Sequence, residues 1–253
     1  MQMTTMLRLE NISKHYYDKF GNAREVLRKL SMDVTADKIN TIIAPSKSGL
    51  STLLRICSGL EPQTEGKLTN YFEENIVFIP SAQSIFPWLN VYDNMKINSP
   101  RITPLVIRQH LSEVGLDGYE DYLPSQNSEG FNFRLALARS FMNNPKLLVF
   151  DNAMSHLKPE ERFEVYEIMK TLKNKHKLTL LLGTNNLTEA LCLSDKILLM
   201  SREPGEIIQE FEVNFNSNSC VELLGNKEMH DLRNYILEIY RQFRGHYKYT
   251  FTI

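Results

Sequence analysis

The 253-residue sequence has only three cysteines, Cys57, Cys192 and Cys220, and they stand far apart in no metal-binding spacing. Its six histidines are also scattered, without an H-x-x-x-H pair. Zinc sites are normally marked by closely spaced ligands of these types. The pattern therefore predicts reduced thiols, as in cytosolic proteins, and no metal site made of protein ligands alone.

An excess of charge of either sign is also missing, since 29 Lys and Arg residues face 30 Asp and Glu residues. Nucleic-acid-binding domains usually carry a basic face, so nucleic acid is not an expected partner. Apolar runs reach only about seven residues, whereas a membrane-spanning helix needs about 20. The first seven residues lack the basic and apolar regions of a signal peptide. We therefore expect a protein that meets a membrane only at its surface.

Short apolar runs alternate with helix-like segments along the chain. Continuous β-rich runs at residues 39–43, 76–79, 147–150 and 178–182 predict strands buried on both faces. Buried strands that alternate with helices predict an α/β fold with a mostly parallel sheet flanked by helices. A hairpin is expected around residues 203–205.

Alternating patterns at residues 7–12 and 30–34 predict half-buried strands. Helices are predicted near residues 104–114 and 133–142, and from Pro159, which suits a first helical position. A last amphipathic helix is expected over about residues 221–243. The aromatic residues Tyr247, Tyr249 and Phe251 alternate beyond it and suit a strand.

A glycine-containing loop separates the run at residues 39–43 from a helix-like segment. Its sequence, Ala44-Pro45-Ser46-Lys47-Ser48-Gly49-Leu50-Ser51-Thr52, matches the phosphate-binding pattern G-x-x-x-x-G-K-[ST] at Gly49 and Ser51. In that pattern a lysine reaches the β- and γ-phosphates, and here the lysine position is Leu50. The backbone N–H groups remain available to a triphosphate, so the loop is present without its main cation.

Ligands of open parallel sheets bind beyond the carboxyl ends of the strands. Residues 46–52, Asp151 and Thr184 each follow a predicted strand. We therefore expect these three parts of the chain to converge on one site.

Seven segments in order give the chain a resemblance to the nucleotide-binding subunits of ABC transporters, of the nitrate/sulfonate/taurine importer type. The resemblance covers about residues 6–215. The segments resemble Walker A (44–52), the Q-loop segment (76–89), the signature and its helix (127–139), Walker B (147–151), the D-loop (155–158), the switch (184–191) and a turn at 202–207.

The resemblance implies a P-loop NTPase-like α/β fold with an antiparallel β subdomain and a helical subdomain. Residues 1–220 would form the nucleotide-binding domain, with the helical subdomain at about 81–140. Residues 221–253 would form a C-terminal helix and tail, which packs on the sheet or contacts a partner.

Several positions depart from the family pattern where the family carries out catalysis. The Q-loop glutamine aligns to Ser81, although Gln83 lies two residues on. The other departures are Leu50 for the Walker A lysine, Glu129 for the first signature glycine, Asn152 for the general base, Lys158 for the D-loop aspartate and Asn185 for the switch histidine. An amide cannot accept a proton from water at neutral pH, and general-base assistance is worth about 10²–10⁴-fold. We therefore predict a pseudo-ATPase.

The resemblance also implies the residues of a nucleotide site. The expected nucleotide contacts are Tyr16, Pro45, Ser46, Lys47, Ser48, Gly49, Ser51 and Thr52, and the signature contributes Ser128, Glu129 and Gly130. Ser51 and Asp151 would hold Mg²⁺, although Ser and Thr also suit helix caps. Tyr16 would stack on adenine or be an ordinary surface aromatic. Lys47 would restore some charge or point to solvent.

Loss of the lysine weakens triphosphate binding by about 1.5–3 kcal/mol. ATP and Mg²⁺ are the expected ligands, with binding that is weak or absent. The resemblance implies two partners, namely membrane permease subunits and a second, active ABC ATPase subunit, with a heterodimer favoured over a homodimer. The expected location is peripheral, at the cytoplasmic face of the cell membrane.

The segment Phe86-Pro87-Trp88-Leu89 lies where the family contacts its membrane subunits. It would serve that docking or simply pack locally. Two other functions remain open from the sequence: an active but slow ABC ATPase, and a scaffold or regulatory pseudo-ATPase in another membrane complex.

Overall fold

The computed structural model describes residues 4–72, 75–81, 85–97, 99–215 and 219–243. The expected strand at the aromatic residues 247–251, and Gln83, lie outside the described residues. Among the described residues, no helix combines the length and apolar character needed to cross a bilayer. Those residues also form no group of three or more His, Cys, Asp or Glu side chains suited to a metal ion.

A six-stranded sheet forms the centre of the protein. Its strands are β3 (Ile39–Ile43), β5 (Ile76–Ile79), β6 (Leu147–Asp151), β7 (Thr179–Thr184), β8 (Lys196–Met200) and β9 (Ile207–Glu212). They lie in the order β5-β6-β7-β3-β8-β9, all parallel except for the antiparallel β8–β9 pair. The mostly parallel sheet and the hairpin around residues 203–205 are thereby confirmed.

A second, antiparallel sheet contains β1 (Thr5–Tyr17), β2 (Ala23–Thr35) and β4 (Glu65–Asn70), in the order β2-β1-β4. The strands predicted at residues 7–12 and 30–34 are parts of the longer β1 and β2. Register shifts interrupt the β1–β2 pairing. Apolar and polar residues therefore alternate regularly only in short stretches of these strands.

Helices surround the large sheet. They include α1 (Leu50–Cys57) after the glycine-containing loop, α5 (Pro159–His176) and α6 (Leu187–Leu193). The helix expected from Pro159 is confirmed, and it buries one face that contains Val165, Met169 and Leu172.

The segment between β5 and β6 is helical. It contains α2 (Val91–Lys96), α3 (Pro104–Glu113), a 3₁₀ turn at Pro124–Gln126 and α4 (Glu129–Ser140). The prediction of a helix over residues 133–142 was wrong at both ends. The Ser128 side chain accepts a hydrogen bond from the Phe131 N–H at 3.2 Å and caps the helix, which therefore starts at Glu129.

The single helix predicted over residues 221–243 was also wrong. Two helices occupy this region, α7 (Cys220–Leu223) and α8 (Lys227–Gln242). Gly225 lies in the break, and the Asn226 side chain caps α8 by accepting the Met229 N–H at 3.2 Å. The Tyr240 hydroxyl lies 2.9 Å from the Ile43 carbonyl oxygen at the end of β3, so α8 packs on the sheet.

Candidate functional site

The ends of three neighbouring strands meet at the candidate site. The Ala44 N–H, after β3, donates to the Thr184 carbonyl at 3.0 Å. The Asn152 N–H, after β6, donates to the Gly183 carbonyl at 2.8 Å. The expected convergence of residues 46–52, Asp151 and Thr184 is confirmed.

The glycine-containing loop has a tightly packed backbone. Gly49 has φ +87°, and a Cβ there would lie 2.7 Å from Val26 Cγ1, so the position requires glycine. Lys47 also adopts the left-handed conformation, with φ 64°. The turn at residues 202–207 lies against the loop, because a Cβ on Gly205 would be 2.4 Å from the Ser48 carbonyl oxygen.

The predicted loop residues differ in their exposure. Ser46 and Lys47 are exposed, whereas Pro45 and Ser48 are buried. Ser48 Oγ accepts the Leu50 N–H at 3.2 Å. The positive charge of Lys47 helps to lower the pKa of Glu203 below its usual value, after the larger effect of Arg24. Lys47 therefore lies on the side of the loop that faces the 202–207 turn.

The Leu50 side chain belongs to the core. It is buried, and its Cδ1 lies so close to β7 that a Cβ on Gly183 would be 3.1 Å from it. Leu54 packs on the same glycine, with Cδ1 2.4 Å from that Cβ position. Burial of a leucine side chain contributes about 1.5–3 kcal/mol. The lysine position has thus become an apolar packing position.

Ser51 and Asp151 are brought together as predicted. The Ser51 hydroxyl donates to Asp151 Oδ1 at 2.9 Å. The capping alternative is wrong for Ser51, because Gly49 occupies the cap position of α1. Burial raises the pKa of Asp151, and the Ser51 hydrogen bond and the charge of Arg55 partly offset this. The hydroxyl and the carboxylate are hard oxygen ligands of the type that suits Mg²⁺.

Asn152 directly follows this carboxylate, at the end of β6. Its Oδ1 accepts a hydrogen bond from the Asn185 backbone N–H at 3.2 Å. Asn152 has φ 47°, a left-handed conformation that asparagine tolerates better than most residues. The two amide residues predicted at the catalytic positions are therefore joined to each other.

Tyr16 lies beside the start of α1. Its hydroxyl donates to Glu61 Oε1 and lies 3.3 Å from Thr52 Oγ1. Lys14 Nζ lies 5.2 Å from the ring centroid and also forms an ion pair with Glu61 at 3.0 Å. The ring is 39% exposed, so Tyr16 is a partly exposed aromatic held at the edge of the loop.

The signature residues contact α5. The Ser128 hydroxyl and the N–H groups of Lys158 and Gly130 lower the pKa of Glu161. Glu161 Oε2 accepts the Lys158 N–H at 3.2 Å. A Cβ on Gly130 would lie 2.9 Å from Glu161 Cδ, so the helix start is packed tightly against this carboxyl group. Glu129 is exposed next to them.

Among the described residues, no interaction joins Ser81 to the glycine-containing loop. It lines a narrow cleft of about 20 Å³ together with Glu129 and His156. The Q-loop position is therefore placed beside the signature, on the helical side.

Sequence reasoning missed Glu61 and Glu161, which hold Tyr16 and the signature. Of these two residues, only Glu161 is marked by a local sequence pattern. Glu three residues after a helix cap is typical of a capping box, and the structure has this arrangement with Lys158 as the cap.

Comparison with known proteins agrees with this geometry. The sequence pattern of the family described as ABC transporter matches residues 27–155. Aliphatic sulfonates import ATP-binding protein SsuB 1 of Pseudomonas savastanoi pv. phaseolicola is 34% identical over 189 residues, which make up 74% of this chain and 79% of that protein. Aliphatic sulfonates import ATP-binding protein SsuB 2 of Rhodococcus jostii is 32% identical over 221 residues, which make up 86% of this chain and 87% of that protein.

The fold also has counterparts among solved structures. The dimeric structure of MJ0796, a bacterial ABC transporter cassette, aligns with a TM-score of 0.72 over 83% of this chain and 100% of that chain, at 21% identity. The family pattern spans the loop, the signature and Asp151, and the relatives extend the match over most of the chain. This chain therefore belongs to the ABC transporter family, among its ATP-binding proteins.

Proposed function

We propose that the chain is a catalytically degenerate ATP-binding subunit of an ABC importer. It docks on a membrane permease at the cytoplasmic face of the membrane and pairs with a second, active ATPase subunit. The import role follows from the names of its relatives, which are described as aliphatic sulfonate import proteins.

One observation carries the proposed degeneracy. The residue after Asp151 is an amide, and its oxygen already accepts the Asn185 N–H at 3.2 Å. An amide has no basic site for the proton of an attacking water at neutral pH. The site therefore lacks the general base that would activate water.

A nucleotide can still be held by the parts that remain. The loop backbone and the N-terminus of α1 attract phosphate, and Ser51 and Asp151 would hold Mg²⁺. When bound, Mg²⁺ supplies positive charge to the β- and γ-phosphates. Since Leu50 packs against Gly183 and offers no charge, the affinity for ATP is lower than with lysine.

The signature is poorly suited to support a nucleotide on a partner subunit. Glu161 of the same chain packs against Gly130, and Ser128 and Gly130 lower its pKa. Glu129 adds an exposed carboxylate next to them, which would repel a γ-phosphate. In a pair, both features would weaken the nucleotide site that combines this signature with the partner's Walker motifs.

Docking on a permease is supported by the loop of residues 85–90, the Trp88 loop. Trp88 is 72% exposed, which argues against local packing, and contacts Phe86 edge-on at 5.6 Å between ring centroids. The buried Asn94 side chain fixes the loop. Its Nδ2 donates to the carbonyls of Phe86, Leu89 and Asn90, each at 3.0 Å. A rigid, exposed aromatic suits a protein interface.

The intact Ser51–Asp151 pair favours a second candidate, an active but slow ATPase. A slow ATPase would pair and dock in a similar way, so the rate of ATP hydrolysis separates it from the degenerate subunit.

The test of docking is purification of the tagged chain from its native membranes. We expect permease subunits and a second ATPase to be recovered in stoichiometric amounts. Trp88→Ala should lose the permease, whereas Phe20→Ala, which changes an aromatic that is 78% exposed in the turn between β1 and β2, should retain it. Recovery of the chain without a permease, or equal behaviour of both variants, would contradict the docking proposal.

A further inference from the structure

Two of the three cysteines, which are 28 residues apart in sequence, meet in the fold. Cys192 lies on α6 and Cys220 begins α7, and both are buried. Cys220 Sγ lies 3.5 Å from the Cys192 carbonyl oxygen, and Cys192 Sγ lies 3.9 Å from the Cys220 carbonyl oxygen. The two thiols are near enough for each to shift the pKa of the other.

The surroundings of the two sulfurs are unequal. Lys170 Nζ of α5 donates to Cys220 Sγ at 3.3 Å, and Glu167 accepts the Cys220 backbone N–H at 3.1 Å. The pKa of Cys220 is lowered by the neighbouring Cys192 thiol and by the Lys170 charge, against the effect of burial. The Cys220 thiol in turn raises the pKa of Cys192. Cys220 is thus the nucleophile and Cys192 keeps its proton.

A surface cavity reaches Cys192, whereas Cys220 lies fully buried behind it. The cavity of about 310 Å³ is lined by Lys170, Cys192, Asp195 and Phe215, among others. Two of these, Lys170 and Cys192, touch the Cys220 sulfur. The third cysteine, Cys57, differs because its burial raises its pKa to about 12.

We propose that Cys192 and Cys220 form a reversible dithiol–disulfide site that is oxidised by hydroperoxides. The Cys220 thiolate attacks one peroxide oxygen, the O–O bond breaks, and the leaving oxygen takes a proton to give water or an alcohol. Cys192 then loses its proton and attacks the Cys220 sulfenic acid sulfur. An S–S bond forms, the S–O bond breaks, and the hydroxide released takes that proton to give a second water. Two thiols are oxidised and one peroxide is reduced.

The disulfide would tie α7 to α6. Helix α6 begins within the switch segment at residues 184–191, and the Asn186 side chain caps it by accepting the Glu189 N–H at 3.1 Å. Oxidation would therefore fix the C-terminal helices to the element next to the nucleotide site. A thiol can regenerate the dithiol by exchange.

The test treats the reduced full-length chain with stoichiometric hydrogen peroxide. We expect loss of two of its three free thiols, a peptide that joins positions 192 and 220, and a monomer on a non-reducing gel. Closing the intervening loop should raise Tm by roughly 5–15 °C, reversibly with dithiothreitol. In Cys192→Ser, the Cys220 sulfenic acid should persist and be trapped by a 1,3-dione.

Two variants separate a reactive site from two passively buried thiols. Lys170→Gln should slow oxidation severalfold, whereas Lys173→Gln, on the same helix, should not. Cys57→Ser should leave the rate and the cross-link unchanged. Survival of all three thiols, oxidation of Cys57 at the same rate, cross-links between chains, or equal rates for the two lysine variants would each overturn the proposal.

Discussion

Asn152 Oδ1 accepts a hydrogen bond from the Asn185 backbone N–H at 3.2 Å. This contact links the end of β6 to the switch segment after β7, where the family places its general base and its histidine. The amide therefore holds the switch segment but offers no site for a proton from water. The contact supports the proposal that this cassette keeps its packing without the group that would activate water.

Replacing the missing catalytic groups should restore turnover. In the variant with Leu50→Lys, Asn152→Glu and Asn185→His, we expect ATP hydrolysis to rise by about 10²-fold or more, because a general base is supplied. The measurement is phosphate release at saturating ATP and Mg²⁺. Adding Asp151→Ala to this variant should remove the gain, and a gain that survives this control would contradict the assignment of Asp151.

Leu50→Lys alone should tighten ATP binding by about 10–100-fold, since it adds a charge-assisted contact of about 1.5–3 kcal/mol. Isothermal titration calorimetry with Mg²⁺-ATP measures the effect. Leu50→Met keeps an apolar side chain against Gly183 and should bring no gain. Similar gains from both substitutions would mean that packing, and not charge, limits binding.

Glu189 gives the protein a defined dependence on pH. Burial raises its pKa to about 7, although hydrogen bonds with Thr184 and Tyr166 favour the charged form. The folded state keeps a proton that the unfolded state releases near pH 4.3, so stability falls as pH rises from about 4 to 7. Glu189→Gln should raise the free energy of unfolding at pH 8 by about 2–3 kcal/mol.

The measurement for Glu189 is urea unfolding at pH 5 and pH 8. The gain of Glu189→Gln should shrink toward pH 5. Glu164→Gln, an exposed change on α5, should have little effect at either pH. Equal stabilisation of Glu189→Gln at both pH values would show that packing is responsible.

Glu113 has the opposite effect on how the stability of the protein changes with pH. Burial raises its pKa, but contacts with Lys175 Nζ at 2.8 Å, His110 Nδ1 at 2.9 Å and His176 Nε2 at 3.1 Å lower it to about 2. Its stabilising effect is complete above the unfolded-state pKa of about 4.3 and is lost as pH falls toward 2. Glu113→Gln should therefore destabilise the protein by about 2–3 kcal/mol at pH 7.

Thermal unfolding between pH 7 and pH 2.5 measures this change. Glu120→Gln removes a longer ion pair with the exposed Arg108, at 3.7 Å, and should cost less than about 1 kcal/mol. Since Glu113 and His110 lie on α3 and the other two partners lie near the end of α5, the cluster joins the helical segment to the rest of the chain. A loss at pH 2.5 equal to that at pH 7 would rule out the charge effect.

The sequence predicted the buried strands well, because strands covered on both faces are continuous apolar runs. It did not predict β4, whose residues Glu65–Asn70 are mostly polar and lie in a less buried sheet. It joined α7 and α8 into one helix, because their apolar spacing continues across the break at Gly225. Gly225 and the capping Asn226 are the local signals of that break, and the apolar spacing was given more weight than they were.

The candidate site was predicted in part for similar reasons. The loop and Asp151 carry local patterns, and their convergence follows from parallel strand order. Contacts between distant segments leave no local pattern, and the Tyr16–Glu61 and Cys192–Cys220 contacts are of this kind. The packing of Leu50 on Gly183 could not be predicted from the sequence either, because the two residues lie on neighbouring elements that are far apart along the chain.

We propose that this cassette does not hydrolyse ATP by itself. The decisive measurement is Mg²⁺-dependent phosphate release by the purified chain, compared with its Asp151→Ala variant at the same ATP concentration. We expect equal rates at background level for both proteins, together with ATP binding that the unaltered chain retains. Sustained turnover by the unaltered chain that disappears in Asp151→Ala would contradict it.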